Sequence, residues 1–267
     1  MDNSLKPTDE KNYKEHLVFI KLEEFKNFYK LFSFSIFGFI TLGTKSICNI
    51  DSYFYSSIQG TLESIKIILK NGRINDAYAL LRKYYDSSII NIYSNLYLND
   101  NHSLENFVVE KIDNWVTGTE RLPEYRIMSQ YITNSDKLGT VFRLLNADER
   151  YKKIRDRCNN HTHYNFYYNA LLNDNEIYLP DRTSALNTFS NDIEQIFILH
   201  LSCLFYLSDH YMMSSDYSDY MDVGLPPEEG CEYNVAPFVQ TVFNNYIKNI
   251  RPEIAKMIEQ DSKMKLH

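Results

Sequence analysis

Apolar residues recur every three or four positions along almost the whole chain, the period that an α-helix presents on one face. Val18, Leu22, Phe25, Tyr29, Phe32 and Ile36 form one stripe. It predicts a helix running from near Thr8 into the apolar segment Leu31 to Gly43. Asp51 reads as the cap of a second helix carrying Tyr55, Ile58, Leu62, Ile65 and Leu69, stopped by Asn71-Gly72. A third follows from about Asn75 to Leu98, with Tyr78, Leu81, Tyr85, Ile89, Ile92 and Leu96 on its face. The short link at Gly72 makes these two long helices antiparallel neighbours. Glycine (8) and proline (7) are too scarce in 267 residues to turn a many-stranded sheet. The expected fold class is all-α, an antiparallel helical bundle with additional N- and C-terminal helices.

The rest of the chain reads the same way. Asn99 to Ser103 is a turn, with Ser103 as cap of a shorter helix through Trp115. Thr117 to Glu124 is a loop, followed by helices over Pro123 to Ile132 and Lys137 to Leu145. Asn146-Ala147-Asp148 starts the next helix. Asn173 to Asn175 is a turn, and Glu176 to Leu179 a short extended piece. Thr183 or Ser184 opens a long helix with Phe189, Ile193, Ile196, His200, Cys203 and Leu207 on its buried side. Ser214 to Ala236 holds Pro226-Pro227 and Gly230 and reads as a long loop. A helical pair split by Arg251-Pro252 closes the chain.

At 44% hydrophobic and 24% charged residues the chain has ample material for a buried core. The formal charge of −7 argues against a non-specific nucleic-acid binder, whose affinity comes from neutralising phosphates, unless a cleft is locally basic. The 22 tyrosines and 16 phenylalanines accompany many Asn, Lys and Ile, a composition that AT-rich coding also yields, so their number carries no weight for base stacking. Cys48, Cys158, Cys203 and Cys231 are widely spaced, with no CxxC to suggest a zinc ribbon or redox pair. The polar first residues do not form a signal peptide. Leu31 to Gly43 is shorter than the ~20 residues that span a bilayer. No membrane is expected as partner, and the thiols are expected in a reducing cytoplasm.

The densest polar cluster is Lys152 to Asn165, KKIRDRCNNHTHYN, which gathers Arg155, Asp156, Arg157, Asn159, Asn160, His161, His163 and Tyr164. An arginine followed by a polar residue, with a histidine five to seven positions after the arginine, resembles the motif of the HEPN superfamily. Arg155-Asp156 followed by His161 fits that pattern, and Arg157 with His163 offers a second match in a shifted register. The preceding hairpin, with NDAYALLRKYYDSSIINIY on its second helix, resembles the long antiparallel helices of a HEPN bundle. The resemblance covers roughly Asp51 to Tyr211. It departs from the pattern where some members place a tyrosine two residues after the histidine: here His163 stands there, and Tyr164 comes one later.

The resemblance implies a HEPN-like bundle over residues 51–212, an N-terminal helical extension over 1–50, and a loop with C-terminal helices packed on the core over 213–267. It implies a metal-independent endoribonuclease with no cofactor, acting as a homodimer on an RNA substrate in anti-phage defence or as a toxin, with a regulatory protein or antitoxin as partner. The ribose 2′-hydroxyl would attack the adjacent phosphate. His161 would be the acid or base, near-neutral titration suiting it to proton transfer. Arg155 would clamp the phosphorane with a permanently charged fork of donors. Asp156, Arg157, Asn160, His163 and Tyr164 would support them. HEPN relatives also include helical modules that bind a protein partner or nucleotide and cleave nothing, and the net negative charge favours that alternative.

Spacing leaves the register open. On an unbroken helix, residues six apart differ by about 240° round the axis and ~9 Å along it, so Arg155 and His161 would not share a face. Either the helix breaks at Asn159-Asn160, or the site is assembled from two copies, or Arg157, four before His161, is the partner. His161 and His163 lack a cysteine or acid at metal-ligand spacing. His200 reads as a satisfied core histidine. The acidic run Asp209, Asp216, Asp219 and Asp222, with His210, reads as a solvated loop. Arg82 and Asp86 read as a helix pair. No GxxxxGK[ST], GxGxxG or GxSxG occurs.

Overall fold

A computed structural model describes residues 6–36, 39, 43–44, 50–174, 176–177 and 181–267. Every regular element among them is helical, and the only β pairing among them is two isolated bridges. A 3-10 turn at Pro7–Asp9 leads to α1 (Lys11–Lys14), α2 (Leu17–Ile36), α3 (Ile50–Lys70) and α4 (Ile74–Asn101). Shorter helices follow: α5 (Glu110–Val116), α6 (Tyr125–Asn134), α7 (Gly139–Leu145), α8 (Arg150–Thr162) and α9 (Tyr167–Leu171). The long α10 (Thr183–Leu207), then α11 (Asp216–Asp222), α12 (Pro237–Val242) and α13 (Pro252–Asp261) complete the chain. Among the described residues no helix is long and apolar enough to cross a membrane. Cys48, and Tyr178 and Leu179 of the extended piece expected at Glu176 to Leu179, lie outside the described residues, and Glu176 and Ile177 form no strand.

Contacts divide the chain into two compact units. The first comprises residues up to Ser33, Tyr53–Ser88 and Asp148–Phe197. Phe25 stacks on Phe197 at 4.1 Å, Phe28 meets Phe197 edge-on, and the hydroxyls of Tyr29 and Tyr84 are 3.0 Å apart. A buried apolar side chain of this size contributes roughly 1.5–3 kcal/mol, while the paired hydroxyls keep two deeply buried tyrosines from stranding a polar atom. The second unit comprises Phe34–Ser52, Ile89–Ala147 and Ile198–His267. There Phe205 packs edge-on against Phe243, and Arg251 donates to the Leu144 carbonyl.

Four local expectations are corrected. The first long helix starts at Leu17 rather than near Thr8, because the His16 Nδ1 accepts the Val18 N–H at 3.1 Å and restarts the helix there. Asp51 lies inside the first turn of α3, where its carboxylate takes side-chain donors from α4 instead of serving as the cap. Ser103 closes a turn by accepting the Asn106 N–H, and the helix begins only at Glu110. The loop expected over Ser214 to Ala236 contains α11, so Asp216, Asp219 and Asp222 lie on a short helix whose first turn carries the first two, where the helix dipole favours acids.

Candidate functional site

The cluster singled out by sequence lies on α8. The Asp148 carboxylate, two residues ahead of the helix, accepts the Arg150 N–H at 3.2 Å and pairs with the Arg150 guanidinium. Tyr151, Ile154, Cys158 and His161 recur at helical spacing and are buried. The same thirteen residues, RYKKIRDRCNNHT, carry five Lys or Arg and one Asp, a net +4 on one helix of a chain whose total is −7. The two asparagines do not break it; α8 runs unbroken to Thr162. It ends where the Asn165 N–H bonds the Asn160 carbonyl and the Tyr164 N–H the His161 carbonyl, the paired bonds of a Schellman cap. Tyr164 takes the left-handed position of that cap, at φ 50°, where glycine is the residue that costs least.

His161 is 6% exposed and lies in the first unit. Its ring stacks on Tyr78 at 3.9 Å and 11°, and its Nδ1 is 2.9 Å from Asn75 Oδ1. An amide oxygen can only accept, so Nδ1 carries the proton and Nε2 keeps its lone pair. Burial, with the nearby Arg157 charge, lowers the imidazole pKa to about 4, so the ring is neutral at pH 7. Arg157 stands one helical turn earlier and donates from Nε and Nη2 to the two oxygens of Asp192, at 2.7 and 2.6 Å. The Asp192 side chain is 5% exposed and that of Arg157 36%, so the ion pair is open on the arginine side. Burial raises the Asp192 carboxyl, and the Arg157 fork and the Tyr78 hydroxyl oppose that rise. Tyr78 therefore touches both the imidazole and the acid that holds the guanidinium.

The other expected residues are placed differently. Arg155 is half-buried and Asp156 exposed, and the unbroken helix turns Arg155 away from His161. Within one chain, then, His161 has Arg157 as its charged neighbour on α8. Asn160 does not orient the histidine. Its carbonyl accepts from Asn169 Nδ2 and its side-chain oxygen from Asn165 Nδ2, which ties α8 to the turn that follows. His163 and Tyr164 are exposed. Arg82 is more than a helix pair with Asp86: it also donates to Asn159 Oδ1 at 2.5 Å. Cys158 is buried and its thiol pushed up to about 12 by burial, which makes it an inert core residue.

Asn75, Tyr78 and Asp192 escaped the sequence reading as site residues. Asp192 had a legible signal: it falls three after Phe189 and four before Ile196, on the buried stripe of α10, where an acid needs a partner. Asn75 and Tyr78 had none, since their link to His161 is purely tertiary.

A second buried polar cluster belongs to the other unit. Asp51 Oδ1 accepts from Asn91 Nδ2 and Asn95 Nδ2 at 3.2 and 2.7 Å, and its Oδ2 from the Tyr211 hydroxyl at 3.2 Å. His200 Nε2 is 2.9 Å from Asn91 Oδ1, and burial lowers its pKa to about 3. Asp51, His200 and Tyr211 are all buried, so this network serves the interior rather than a ligand. Among the described residues no group of His, Cys, Asp or Glu gathers as metal ligands would. No protein-family model matches the chain, and comparison with curated proteins and with solved structures returned no match.

Proposed function

We propose that the chain is a metal-independent endoribonuclease of the HEPN type, acting as a homodimer in anti-phage defence or as a toxin. One observation supports the reading. A neutral imidazole with its Nε2 lone pair unclaimed by Asn75 stands one turn from a solvent-facing guanidinium, on a helix of net +4. In this reading Nε2 of His161 takes the proton of a ribose 2′-hydroxyl as that oxygen attacks the adjacent phosphorus. The 5′-oxygen leaves with the proton returned from the imidazolium, giving a 2′,3′-cyclic phosphate and a 5′-hydroxyl. Asp192 occupies one edge of Arg157 and leaves the Nη1 donors for a phosphate oxygen, where charge builds in the transition state. Arg155 adds to the positive field from another side of the helix.

A second reading is a non-catalytic helical module that binds a protein partner or nucleotide. It is favoured by the 6% exposure of His161, which gives a ribose little access within one protomer.

The deciding experiment is RNA cleavage in EDTA by the wild type and by His161→Ala, Arg157→Ala and Arg155→Ala. The nuclease reading expects His161→Ala to lose about 10²-fold or more and Arg157→Ala a comparable factor, with a smaller loss for Arg155→Ala. Equal activity in all four rejects these assignments. No cleavage by the wild type leaves the module, and cleavage that EDTA abolishes points to a metal enzyme.

A further inference from the structure

Residues 209–236 hold seven acids, from Asp209 to Glu232, and no lysine or arginine. That equals the formal charge of −7, so the rest of the chain balances. Among the described residues none of the seven pairs with a lysine or arginine. Asp216 accepts from Asn234, Asp219 from Ser215 and Glu228 from Tyr220, all neutral donors. Lys265 comes near Gly230 but directs its ammonium at Asn234 Oδ1, 3.1 Å away. The same segment borders an apolar groove of the second unit, about 1030 Å³ in volume. Tyr217 and Met221, four apart on α11, line it together with Phe39, Met213, Val235 and Phe238, and Asp216 and Asp222 stand among them. Helix α11 buries none of its residues, and Tyr217 and Met221 are 38% and 57% exposed. A helix this short does not hold in water unaided, so it depends on its tethers. The Met213–Val235 bridge closes the base of this excursion, with the Ser214 N–H on the Asn234 carbonyl and the Ala236 N–H on the Met212 carbonyl, both at 2.8 Å. The groove thus has a pinned base and a wet apolar lining, the mark of an interaction surface.

We propose that this groove receives a cationic amphipathic segment of a partner protein, a helix whose apolar side chains enter the groove while lysines or arginines beside them meet the acids. Charge selects the partner. Nucleic acids and anionic membranes are repelled by a segment that is acidic throughout. A second copy of the chain has little to offer, because on its strongly cationic helix, α8, Arg150, Lys152 and Arg157 are already ion-paired. The reach of the acids selects a peptide over a small molecule. Asp219 and Glu228 line a neighbouring cleft beside α11, beyond what a ligand filling the groove alone would touch. Met213 and Met221 can repack around side chains of different shape. Docking here is independent of whether the chain cleaves RNA.

The test uses the full chain and a fluorescein-labelled helical peptide of about 18 residues, with leucine at i, i+4 and i+7 and lysine between them. Anisotropy at fixed salt should show saturable binding. Tyr217→Ser/Met221→Ser, at two positions that α11 leaves exposed, should weaken Kd about tenfold or more. Asp216→Asn/Asp222→Asn should weaken it by a comparable factor and flatten its salt dependence. Glu10→Gln/Glu15→Gln, in the first unit, should stay within about twofold. A peptide with serine for each leucine should bind about tenfold more weakly or worse, and one with glutamate for each lysine should not bind. Unchanged Kd in Tyr217→Ser/Met221→Ser, equal binding of the leucine-free peptide, or an equal loss in Glu10→Gln/Glu15→Gln overturns the proposal and leaves only attraction between opposite charges. A wild-type dimer in sedimentation velocity that Tyr217→Ser/Met221→Ser dissociates would make the groove a self-contact. Phenethylammonium binding as tightly as the peptide would make it a small-molecule site. Either result overturns the proposal as well.

Discussion

His161 gives the sharpest quantitative expectation, because its surroundings set how folding stability responds to acid. In the unfolded chain the imidazole titrates near its ordinary value of 6.5, whereas burial holds it at about 4 in the folded state. The folded state therefore binds fewer protons than the unfolded state between those values. The stability that neutral His161 contributes is complete above about pH 6.5, is lost as pH falls towards 4, and falls no further below that. At pH 5 the unfolded imidazole is about 97% protonated and the folded one about 10%, so the loss between pH 7 and pH 5 is about 2 kcal/mol. Urea unfolding of the wild type and of His161→Gln at both pH values isolates it. Both proteins lose stability from His200 and from carboxylates, and those losses cancel in the difference. The wild type should lose about 2 kcal/mol more than the variant, a midpoint shift of roughly 0.6 M urea for a slope of about 3 kcal/mol/M. Equal losses would refute a buried neutral imidazole bound to Asn75 and stacked on Tyr78.

Three further outcomes are expected. Tyr164→Gly relieves the left-handed backbone and should stabilise the chain by about 1 kcal/mol, read as a melting temperature higher by ~2–4 °C. Asp51→Ala strands the three donors that Asn91, Asn95 and Tyr211 direct at the carboxylate, and urea titration should show a loss of about 3 kcal/mol or more. If His161 is the general base, its pKa of about 4 makes cleavage nearly flat from pH 5 to 8 with a fall below that range; a profile centred near 6.5 would assign the proton transfer to a different group.

The helical architecture was legible because it is carried by local period and punctuation. Val18 to Ile36 and Tyr55 to Leu69 announce their buried faces, and Asn71-Gly72 announces the link, without reference to anything distant. Some expectations failed to local bonds, as at His16 and Ser103, and others where a side chain chose a tertiary partner. Asp51 has the chemistry of a cap, but Asn91 and Asn95 take it from the far end of α4. Asn159-Asn160 looks like a helix breaker, yet Asn159 is engaged by Arg82 and the Asn160 carbonyl by Asn169, which offset the weak intrinsic propensity of the pair. At the site, sequence located α8 and the exposed His163 but not the partners that fix His161. Asn75 lies 86 residues away, and only folding reveals the bond. An unbroken α8 removes the break at Asn159-Asn160 that would have let Arg155 and His161 share a face, and leaves Arg157 or a site assembled from two copies.

The net charge of the chain then weighs less against RNA than it first does. A charge acts on a phosphate within a screening distance of about 8 Å at physiological salt, and charges farther away are largely masked. Helix α8 is ~20 Å long, so its net +4 is concentrated over little more than two screening lengths. Three acids oppose it locally: Asp148 and Glu149, just before the helix, pair with Arg150 and Lys152, and Asp192 pairs with Arg157 from a buried position. A strand lying along α8 would meet the guanidinium first and the carboxylate hardly at all. Lowering the salt should therefore strengthen binding to the wild type although protein and RNA are both acidic overall. Weaker binding at low salt, the response of two like-charged bodies, would mean that the field of the whole chain prevails over that of the helix.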